Sequence, residues 1–589
     1  MQKVKFDISR LKGKLGQMRD WLLRHRLPYK LIFYIMGIAS TVWFLIRIIP
    51  KPSRATYPCM RVAAPFMSGF VTYLLAVAGL TAISRRSRWK ILNVRYGAVV
   101  MLLAGVVVAM AVIPVNNSET ALQTTETRTG PEDGPNQPIG QAKGIFPGRV
   151  VWVWNPEATN EKFQHNDPDK GDWFANPENN NGTVQGRMFH DGVLKLTGKK
   201  TSAKAWDAMF RYFNEKKHGK AKGYTKGEKI FIKINQGQAS WTLSKADKEN
   251  SYALPKSLPE KDSRRASMEP TETGPYIVLE LLKELVNENR IDQADIAVGD
   301  PMNPIYAHNY NVWVKEFPNV RYLDRTSINF GRSLIKITEK PLVYYSDKST
   351  TDKLYDVIEN ADYLIYMPVL KPHGAAGISL AAKLNFGNIG RNGAGHLHRS
   401  HVANRREGVP ANTGYNKYRV FVDLMGSKYL GQNAVFWCVE GMFGGGSSEI
   451  KGPVKYFMPP FNNNWSNSIF MSLDPVAIES VGYDFLRSEF DGVHKHDAVN
   501  NEWEAIPNMF GVDDYMHQAA DSANWPKGIK YDPDNSGVPI PALGTHEHWN
   551  NPIDKQYSRN LQTGKGIELV SIPEDLVKSI KNGNKNALR

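Results

Sequence analysis

The hydrophobic pattern begins with three long apolar stretches, at residues 31–50, 65–83 and 96–114. Each is about as long as a helix that crosses a hydrocarbon core of ~30 Å. Lys and Arg are concentrated before the first stretch and between the second and third, which places those segments inside. The sequence therefore predicts a multi-pass membrane protein with its N-terminus inside and its soluble domain outside the cytoplasm. Burial of these helices in a soluble core is the alternative.

After Gly148 the pattern changes to short apolar runs that alternate with helical spacing. Two segments show apolar residues at helical spacing, 276–290 and 477–490, and the second follows Asp474-Pro475, a helix-start signal. The strand-like runs are 150–154, 229–235, 294–300, 361–370, 433–441 and 468–473. This alternation predicts an α/β fold with a mostly parallel sheet flanked by helices, preceded by the three transmembrane helices.

Composition divides the chain into four predicted segments. Residues 1–30 form a basic cytoplasmic segment, 31–114 the transmembrane helices, 115–144 a polar linker rich in Gly, Pro and Thr, and 145–589 the soluble α/β domain. The formal charge of the chain is +16, and the whole excess lies in residues 1–114. Because the soluble part has no surplus of positive charge, we expect no nucleic-acid partner. The predicted partners are the lipid bilayer and a small-molecule ligand, while the sequence names no protein partner.

The cysteine content limits the cofactors. The chain has two cysteines, Cys59 and Cys438, too few for a four-cysteine iron–sulfur cluster, and it has no Cys-x-x-Cys-His motif for c-type haem. A redox-chain subunit is therefore disfavoured. Cys438 lies in an apolar run and is predicted to be a small buried hydrophobic residue.

The densest group of polar residues follows the strand-like run 361–370, where open α/β sheets place ligands. Neutral imidazoles bind metals or move protons, and lysines hold anionic groups. The alternative is a set of surface loop residues with no common target, because His-x-His-x-x-His is not a standard zinc signature. The residues are Lys371, His373, Lys383, Asn385, His396, His398 and His401.

Four further positions carry candidate chemistry. Asp300 follows a strand-like run and is either a site residue or a turn residue. Glu440 precedes a Gly-rich segment and could act as a general base or a metal ligand. Asp474 is predicted mainly to cap its helix. His546-x-His548 offers two imidazoles on one face of an extended segment, either to complete a metal site or as surface histidines.

Several motifs together resemble the domain-of-unknown-function 362 family. They are DYLIYMPVLKPHG at 362–374 with AAKLNFG at 381–387, IKIN at 232–235 and DPVA at 474–477. GTHEHWNN at 544–551 and YPC at 57–59 resemble a membrane-anchored subgroup of bacterial envelope proteins. With the predicted topology, this resemblance implies a multi-pass protein of the bacterial cytoplasmic (inner) membrane whose soluble domain is on the periplasmic side. The resemblance covers roughly residues 145–560. The chain lacks the ferredoxin-like cysteines of many relatives, and Glu440 stands where an Asp is expected.

The resemblance implies that six residues line one pocket. It also implies a distant similarity to the nickel-dependent lactate racemase group, whose sites use lysines and histidines around a bound cofactor. The residues are Lys233, Asn235, Lys371, His373, Lys383 and Asn385.

Together these features predict an enzyme acting on a small anionic molecule or an envelope precursor. Lys233, Lys371 and Lys383 are predicted catalytic groups together with His373, which transfers a proton. Asn235, Asn385 and Asp300 are predicted to bind substrate. A divalent metal is expected on His396, His398, His401 and Glu440. The alternative is a non-catalytic module of the cell envelope that binds a ligand or cofactor or serves in assembly.

Overall fold

A computed structural model describes most of the chain after residue 133. All of these residues lie in one compact unit, residues 125–589. The predicted basic segment, the three predicted transmembrane helices and most of the predicted linker lie outside the described residues, as does Cys59. The described ranges are 134–163, 174–236, 271–303, 305–324, 331–401, 415–446, 452–491 and 509–578.

Across these ranges, no helix is long and apolar enough to cross a membrane. The prediction of three transmembrane helices is therefore not supported, and neither is the predicted multi-pass, inner-membrane and periplasmic localisation. We correct the fold class to a mixed α/β fold with a large sheet. The helix Ser202–His218 is amphipathic: it buries Trp206 and Phe210 and exposes charged residues on its other side.

The sheet has nine strands in the order β15-β2-β13-β12-β9-β3-β4-β5-β6. Strand β13 is antiparallel to both of its neighbours, and the other neighbouring pairs are parallel. Three two-stranded pairings, β1-β14, β10-β11 and β7-β8, lie outside it. The strands are β1 Ile139–Gly140, β2 Arg149–Trp154, β3 Ile230–Ile234, β4 Ile296–Gly299, β5 Arg321–Asp324, β6 Ser333–Leu334, β7 Val343–Tyr344, β8 Thr351–Asp352, β9 Tyr363–Met367, β10 Pro372–His373, β11 Gly377–Ile378, β12 Ala434–Gly441, β13 Ser468–Ser472, β14 Thr545–His546 and β15 Glu568–Ile572.

The helices lie on both faces of the sheet. They are α1 Gly182–Thr197, α2 Ser202–His218, α3 Pro275–Lys283, α4 Ala307–Glu316, α5 Asp356–Glu359, α6 Ala381–Leu384, α7 Val420–Gly426, α8 Pro475–Glu489 and α9 Met509–Ala520. Asp474 caps α8 by accepting hydrogen bonds from the N–H groups of Val476 and Ala477 at 3.1 and 2.9 Å, which confirms the predicted cap.

Two apolar cores cover the two faces, and β2 shows how. Its side chains alternate, so that Val150 and Trp152 pack in the core with α5 to α9, whereas Val151 and Val153 pack in the core with α1 to α4. A sheet buried on both faces explains why its strands read as nearly continuous apolar runs in the sequence. Cys438 is buried in the second core, where burial raises the pKa of its thiol.

The parallel strands determine where the polar residues meet. Strands β3, β4, β9 and β12 are neighbours that run in one direction, so their carboxyl ends lie at one edge of the sheet. Lys233, Asp300, Lys371 and Glu440 stand at or just beyond these ends. We call this the strand edge.

Candidate functional site

Lys233 and Asp300 form a buried ion pair at the strand edge. The Lys233 Nζ lies 3.0 Å from Asp300 Oδ1 and donates to the carbonyl of Ile234 at 2.6 Å. Asp300 Oδ2 accepts from the N–H of Gln236 at 2.9 Å. Burial lowers the pKa of Lys233, and Asp300 opposes that shift. Gly387 packs directly over the pair, where a Cβ would collide with both charged groups. Asp300 is therefore an ion-pair partner and more than a turn residue.

Lys371 and Glu440 meet one segment, residues 271–274. The Lys371 Nζ donates to the carbonyl of Thr271 at 2.6 Å, and both Glu440 carboxylate oxygens lie 3.1 Å from the N–H of Gly274. The cavity beside Glu440 has a volume of about 10 Å³, room for about one water. Burial raises the pKa of Glu440 to about 8, although the Gly274 N–H lowers it. Glu440 is thus mostly protonated at pH 7.

Thr273 joins the same segment to two of the strands. Its Oγ1 accepts from the N–H of Asn235 at 2.8 Å and contacts the carbonyl of Met367, and its own N–H donates to the Asn235 carbonyl at 3.0 Å. Asn235 therefore contacts Thr273 through its backbone. The sequence analysis did not identify Thr271, Thr273 or Gly274, because a backbone contact from a distant segment leaves no motif.

Three of the predicted histidines form a ring cluster. The centroid of the His401 ring lies 5.5 Å from that of His373 and 4.3 Å from that of His398, and it stacks on Phe386 and Phe421. Within the described residues, neither His401 ring nitrogen has a hydrogen-bond partner. Burial, with the charges of Lys383 and His373, lowers the pKa of His401 well below its usual value. We call His373, His398 and His401 the aromatic histidine cluster.

The proposed metal ligands of this region do not converge. His396 turns away, and its Nε2 lies 2.6 Å from Asp352 Oδ2, while Glu440 lies against Gly274. His398 Nδ1 lies 3.0 Å from the carbonyl of Gly395. Among the described residues, none of these four belongs to a group with metal-ligand spacing. The structure thus keeps His398 and His401 together in one cluster of rings, whereas His396 and Glu440 contact other partners.

Lys383 and Asn385 also have identifiable contacts. The Lys383 Nζ lies 3.9 Å from the centroid of the Phe386 ring, a cation–π geometry. Asn385 Oδ1 accepts from the Tyr366 hydroxyl at 2.7 Å, and its Nδ2 donates to the carbonyl of Ala381 at 3.3 Å. Asn385 therefore fixes the 385–388 turn against β9.

His373 is held in a defined tautomer. Its Nδ1 accepts from the N–H groups of Ala375 and Ala376, both at 3.1 Å. A ring nitrogen that accepts carries no proton, so a neutral His373 ring has its proton on Nε2. The ring lies in the same cluster as His401, on the chain that leaves Lys371.

A different group has the spacing of a metal site. Asp513 on α9, His546 in β14 and His548 place ligand atoms within 4.8 Å of one another, and all three residues are buried. His548 Nε2 lies 3.3 Å from Asp513 Oδ1. Burial lowers the pKa of His548, but Asp484 and Asp513 raise it to about 10. The sequence identified the two histidines; Asp513 was missed because it lies on a separate helix.

Comparison with known proteins yields one match. The family model described as "Domain of unknown function (DUF362)" matches residues 269–484. No curated protein and no solved structure matches the chain. The match includes Asp300, Lys371 and Glu440 and ends at Asp484, before the motif at 544–551. It does not confirm the membrane-anchored subgroup. Residues 269–484 of this chain are thus similar to the DUF362 family, as the motifs predicted.

Proposed function

We propose that the chain is an enzyme that acts on a small anionic molecule at the strand edge. The observation that carries the proposal is that two buried ionisable groups, Lys371 just after β9 and Glu440 in the neighbouring parallel strand β12, both contact residues 271–274. Ligands of open α/β sheets bind at the carboxyl ends of the strands, and buried ionisable groups cluster at functional sites.

Lys371 is the proposed anion-binding group. Its ammonium lies at the strand edge and donates to the carbonyl of Thr271 at 2.6 Å, close to the ion pair of Lys233 and Asp300. An anionic group is a stronger partner for an ammonium than a carbonyl, so a substrate carboxylate or phosphate would take the place of Thr271. Lys233 and Asp300 then act as a fixed pair that shapes the edge.

Glu440 is the proposed proton-transfer group. With a pKa of about 8 it is a general acid at neutral pH and becomes a base in mildly alkaline solution. His373 is the second proposed proton-transfer group, because its tautomer is fixed and its ring follows Lys371 in the chain. A carboxyl and an imidazole near one anion site suit proton abstraction or protonation next to a carboxylate.

One observation favours a second candidate, a module that binds a ligand without turnover. The cavity beside Glu440 has room for about one water, so a substrate enters only if residues 271–274 move. In this candidate the same lysines hold a ligand or fix the fold, and no proton is transferred.

Proton exchange on a panel of small carboxylates tests the proposal. The full-length protein is incubated in D2O with each acid, and loss of the C–H signal next to the carboxylate is followed by NMR, with phosphate release from phosphate esters assayed in parallel. Glu440→Gln is expected to slow turnover by about 10²-fold or more, because it removes the proton. Lys371→Met is expected to raise KM, and the exposed Lys200→Met serves as the matched control.

The pH profile separates the two candidates. An enzyme that uses Glu440 shows an inflection near pH 8 that Glu440→Gln abolishes. Equal turnover in the parent chain and in both variants would contradict the proposal. Anion binding that shifts the melting temperature without turnover, and that Lys371→Met abolishes, would establish the binding module instead.

A further inference from the structure

Beyond the strand edge, we infer that Asp513, His546 and His548 bind a divalent transition-metal ion that clamps the C-terminal part of the chain to α8 and α9. The three residues come from two elements far apart in sequence, yet their ligand atoms lie within 4.8 Å of one another. We call them the metal triad. The inference does not rest on the proposed enzymatic function.

The ring of His546 is oriented by Ser480 on α8. The Ser480 hydroxyl lies 2.7 Å from the carbonyl of Val476, and its oxygen lies 2.8 Å from His546 Nδ1. When the hydroxyl donates to Val476, Nδ1 of His546 donates to the Ser480 oxygen and Nε2 presents its lone pair, which is the tautomer that a metal ligand needs. Among the described residues, that buried Nε2 has no hydrogen-bond partner.

The ring of His548 is oriented by Asp484, also on α8. His548 Nδ1 lies 2.8 Å from Asp484 Oδ1, which leaves Nε2 to face Asp513. Asp484 is itself fixed by the N–H of Trp549 at 3.0 Å and the hydroxyl of Tyr557 at 2.8 Å. A carboxylate behind a histidine is the usual outer partner of a metal-binding imidazole.

The two orienting residues match the two histidines in spacing. Ser480 and Asp484 are four residues apart and so lie on one face of α8, while His546 and His548 are two residues apart and point to one side of an extended segment. The helix face and the extended segment therefore present one outer partner to each ring. This register directs both Nε2 atoms to a common point.

The donor set indicates the class of metal. Two imidazoles and one carboxylate suit borderline ions such as Zn²⁺, Co²⁺ or Fe²⁺, whereas Ca²⁺ and Mg²⁺ prefer oxygen ligands. His517 lies one turn after Asp513 on α9, and its ring centroid is 5.1 Å from that of His546, so it stands beside the metal triad. Because all three ligands are buried, we assign the ion a structural role.

The metal triad lies outside the segment that matches the family model. The family match ends at Asp484, so the outer partners Ser480 and Asp484 lie inside it and all three ligands lie beyond it. The ion would thus be bound by the chain that follows the matched segment, while residues inside that segment orient its two histidine ligands. The triad shares no residue with the strand edge.

Metal content tests the inference directly. The full-length protein, purified without chelator, is expected to contain about one equivalent of a divalent transition metal by mass spectrometry. After removal of the metal with EDTA, Co²⁺ should restore one equivalent and give a visible ligand-field spectrum. His546→Gln and Asp513→Asn should each reduce metal content at least tenfold, and the control His401→Gln, a buried histidine of the aromatic histidine cluster, should not.

A milder variant covers the case in which the ligand variants do not fold. Ser480→Ala keeps the three ligands and removes one outer partner, so Co²⁺ affinity should fall about 10- to 100-fold with the fold intact by circular dichroism. A parent chain that holds no metal and gives no Co²⁺ spectrum would overturn the inference, as would unchanged affinity in Ser480→Ala and His546→Gln. Lys371→Met should keep its metal, so failure of the enzymatic proposal is recognised separately.

Discussion

Two clusters of histidines contact helix α9 through different neighbours, and the difference shows what the surroundings do to an imidazole. The aromatic histidine cluster reaches α9 through Phe421, which packs against Tyr515. Phe386 and Phe421 stack on its His401 ring. The metal triad includes Asp513 of α9 itself and has Asp484 behind one ring. Rings of one residue type thus lie among aromatic side chains in one cluster and beside carboxylates in the other.

The protonation of the two clusters follows from these neighbours. Burial among aromatic rings and near Lys383 lowers the pKa of His401 well below its usual value. Burial also acts against charge on His548, but two carboxylates outweigh it and raise the pKa of His548 to about 10. Burial alone therefore does not decide the charge of a histidine: the partner of the ring does.

The largest loss of stability is expected from removing the carboxylate of Asp484, which raises the pKa of His548. Asp484→Asn leaves the buried His548 and the partly exposed Arg487 beside a neutral amide, so we expect a loss of about 3–5 kcal/mol in the free energy of unfolding. Urea denaturation of the full-length chain measures it. Asp207→Asn is the matched control, because Asp207 pairs with Arg211 on an exposed helix face and should lose far less. Equal losses in the two variants would show that Asp484 has no special role.

The second effect is a pH dependence of opposite sign in the two clusters. The folded-state pKa of His401 is lowered, so below pH 6.5 only the unfolded chain binds its proton and stability is lost as the pH falls. The loss should be about 2 kcal/mol between pH 7 and pH 5, measured relative to His401→Phe, which keeps the stacked ring. If the free energy of unfolding changed with pH in the same way in the parent chain and in His401→Phe, the predicted contribution of His401 would be refuted.

For His548 the folded-state pKa is raised, so the sign reverses. Its contribution to stability in the metal-free chain is fully present below pH 6.5 and is lost as the pH rises through about 10. Comparison of the EDTA-treated parent chain with His548→Gln at pH 7 and pH 10 measures this term. His401→Phe thus tests the aromatic histidine cluster below pH 7, and His548→Gln tests the metal triad above pH 7.

The smallest effect concerns the cation beside the aromatic histidine cluster. Lys383→Met removes a charge that lowers the pKa of His401 and the cation–π contact with Phe386. The pKa of His401 should therefore rise, and the free energy of unfolding should fall by only about 0.5–1 kcal/mol. NMR titration of the His401 ring measures the first quantity, with Lys200→Met as the control. A lower pKa in Lys383→Met would be incompatible with this account.

Much of the central fold was predictable because strands that are buried on both faces of a sheet appear in the sequence as nearly continuous apolar runs. The six predicted strand runs correspond to β2, β3, β4, β9, β12 and β13, with β2 beginning one residue before its predicted run, and Asp474-Pro475 marks the start of α8. The prediction for 276–290 is confirmed as α3, which continues as a π-helical turn at Glu284–Glu288. The transmembrane helices are the part of the predicted fold class that the described structure does not support.

The candidate site was less predictable, because partners from distant segments decided it. Lys371 and Glu440 were identified from strand ends, but Thr271 and Gly274, which contact them, carry no motif. The spacing of His396, His398 and His401 suggested a common ligand, yet Asp352 draws His396 away. When a side chain has several possible partners, the residues near it in the sequence do not show which partner it will contact.

The sequence by itself determined the strands, the capped helix, the similarity of residues 269–484 to the DUF362 family and the polar residues at the strand ends, since each depends on residues close together in the chain. The tertiary structure alone decided that Asp513 meets His546 and His548, and that Ser480 and Asp484 stand behind those rings. These contacts join helices α8 and α9 to an extended segment. Their geometry follows from how the elements pack over the sheet, which local spacing does not encode.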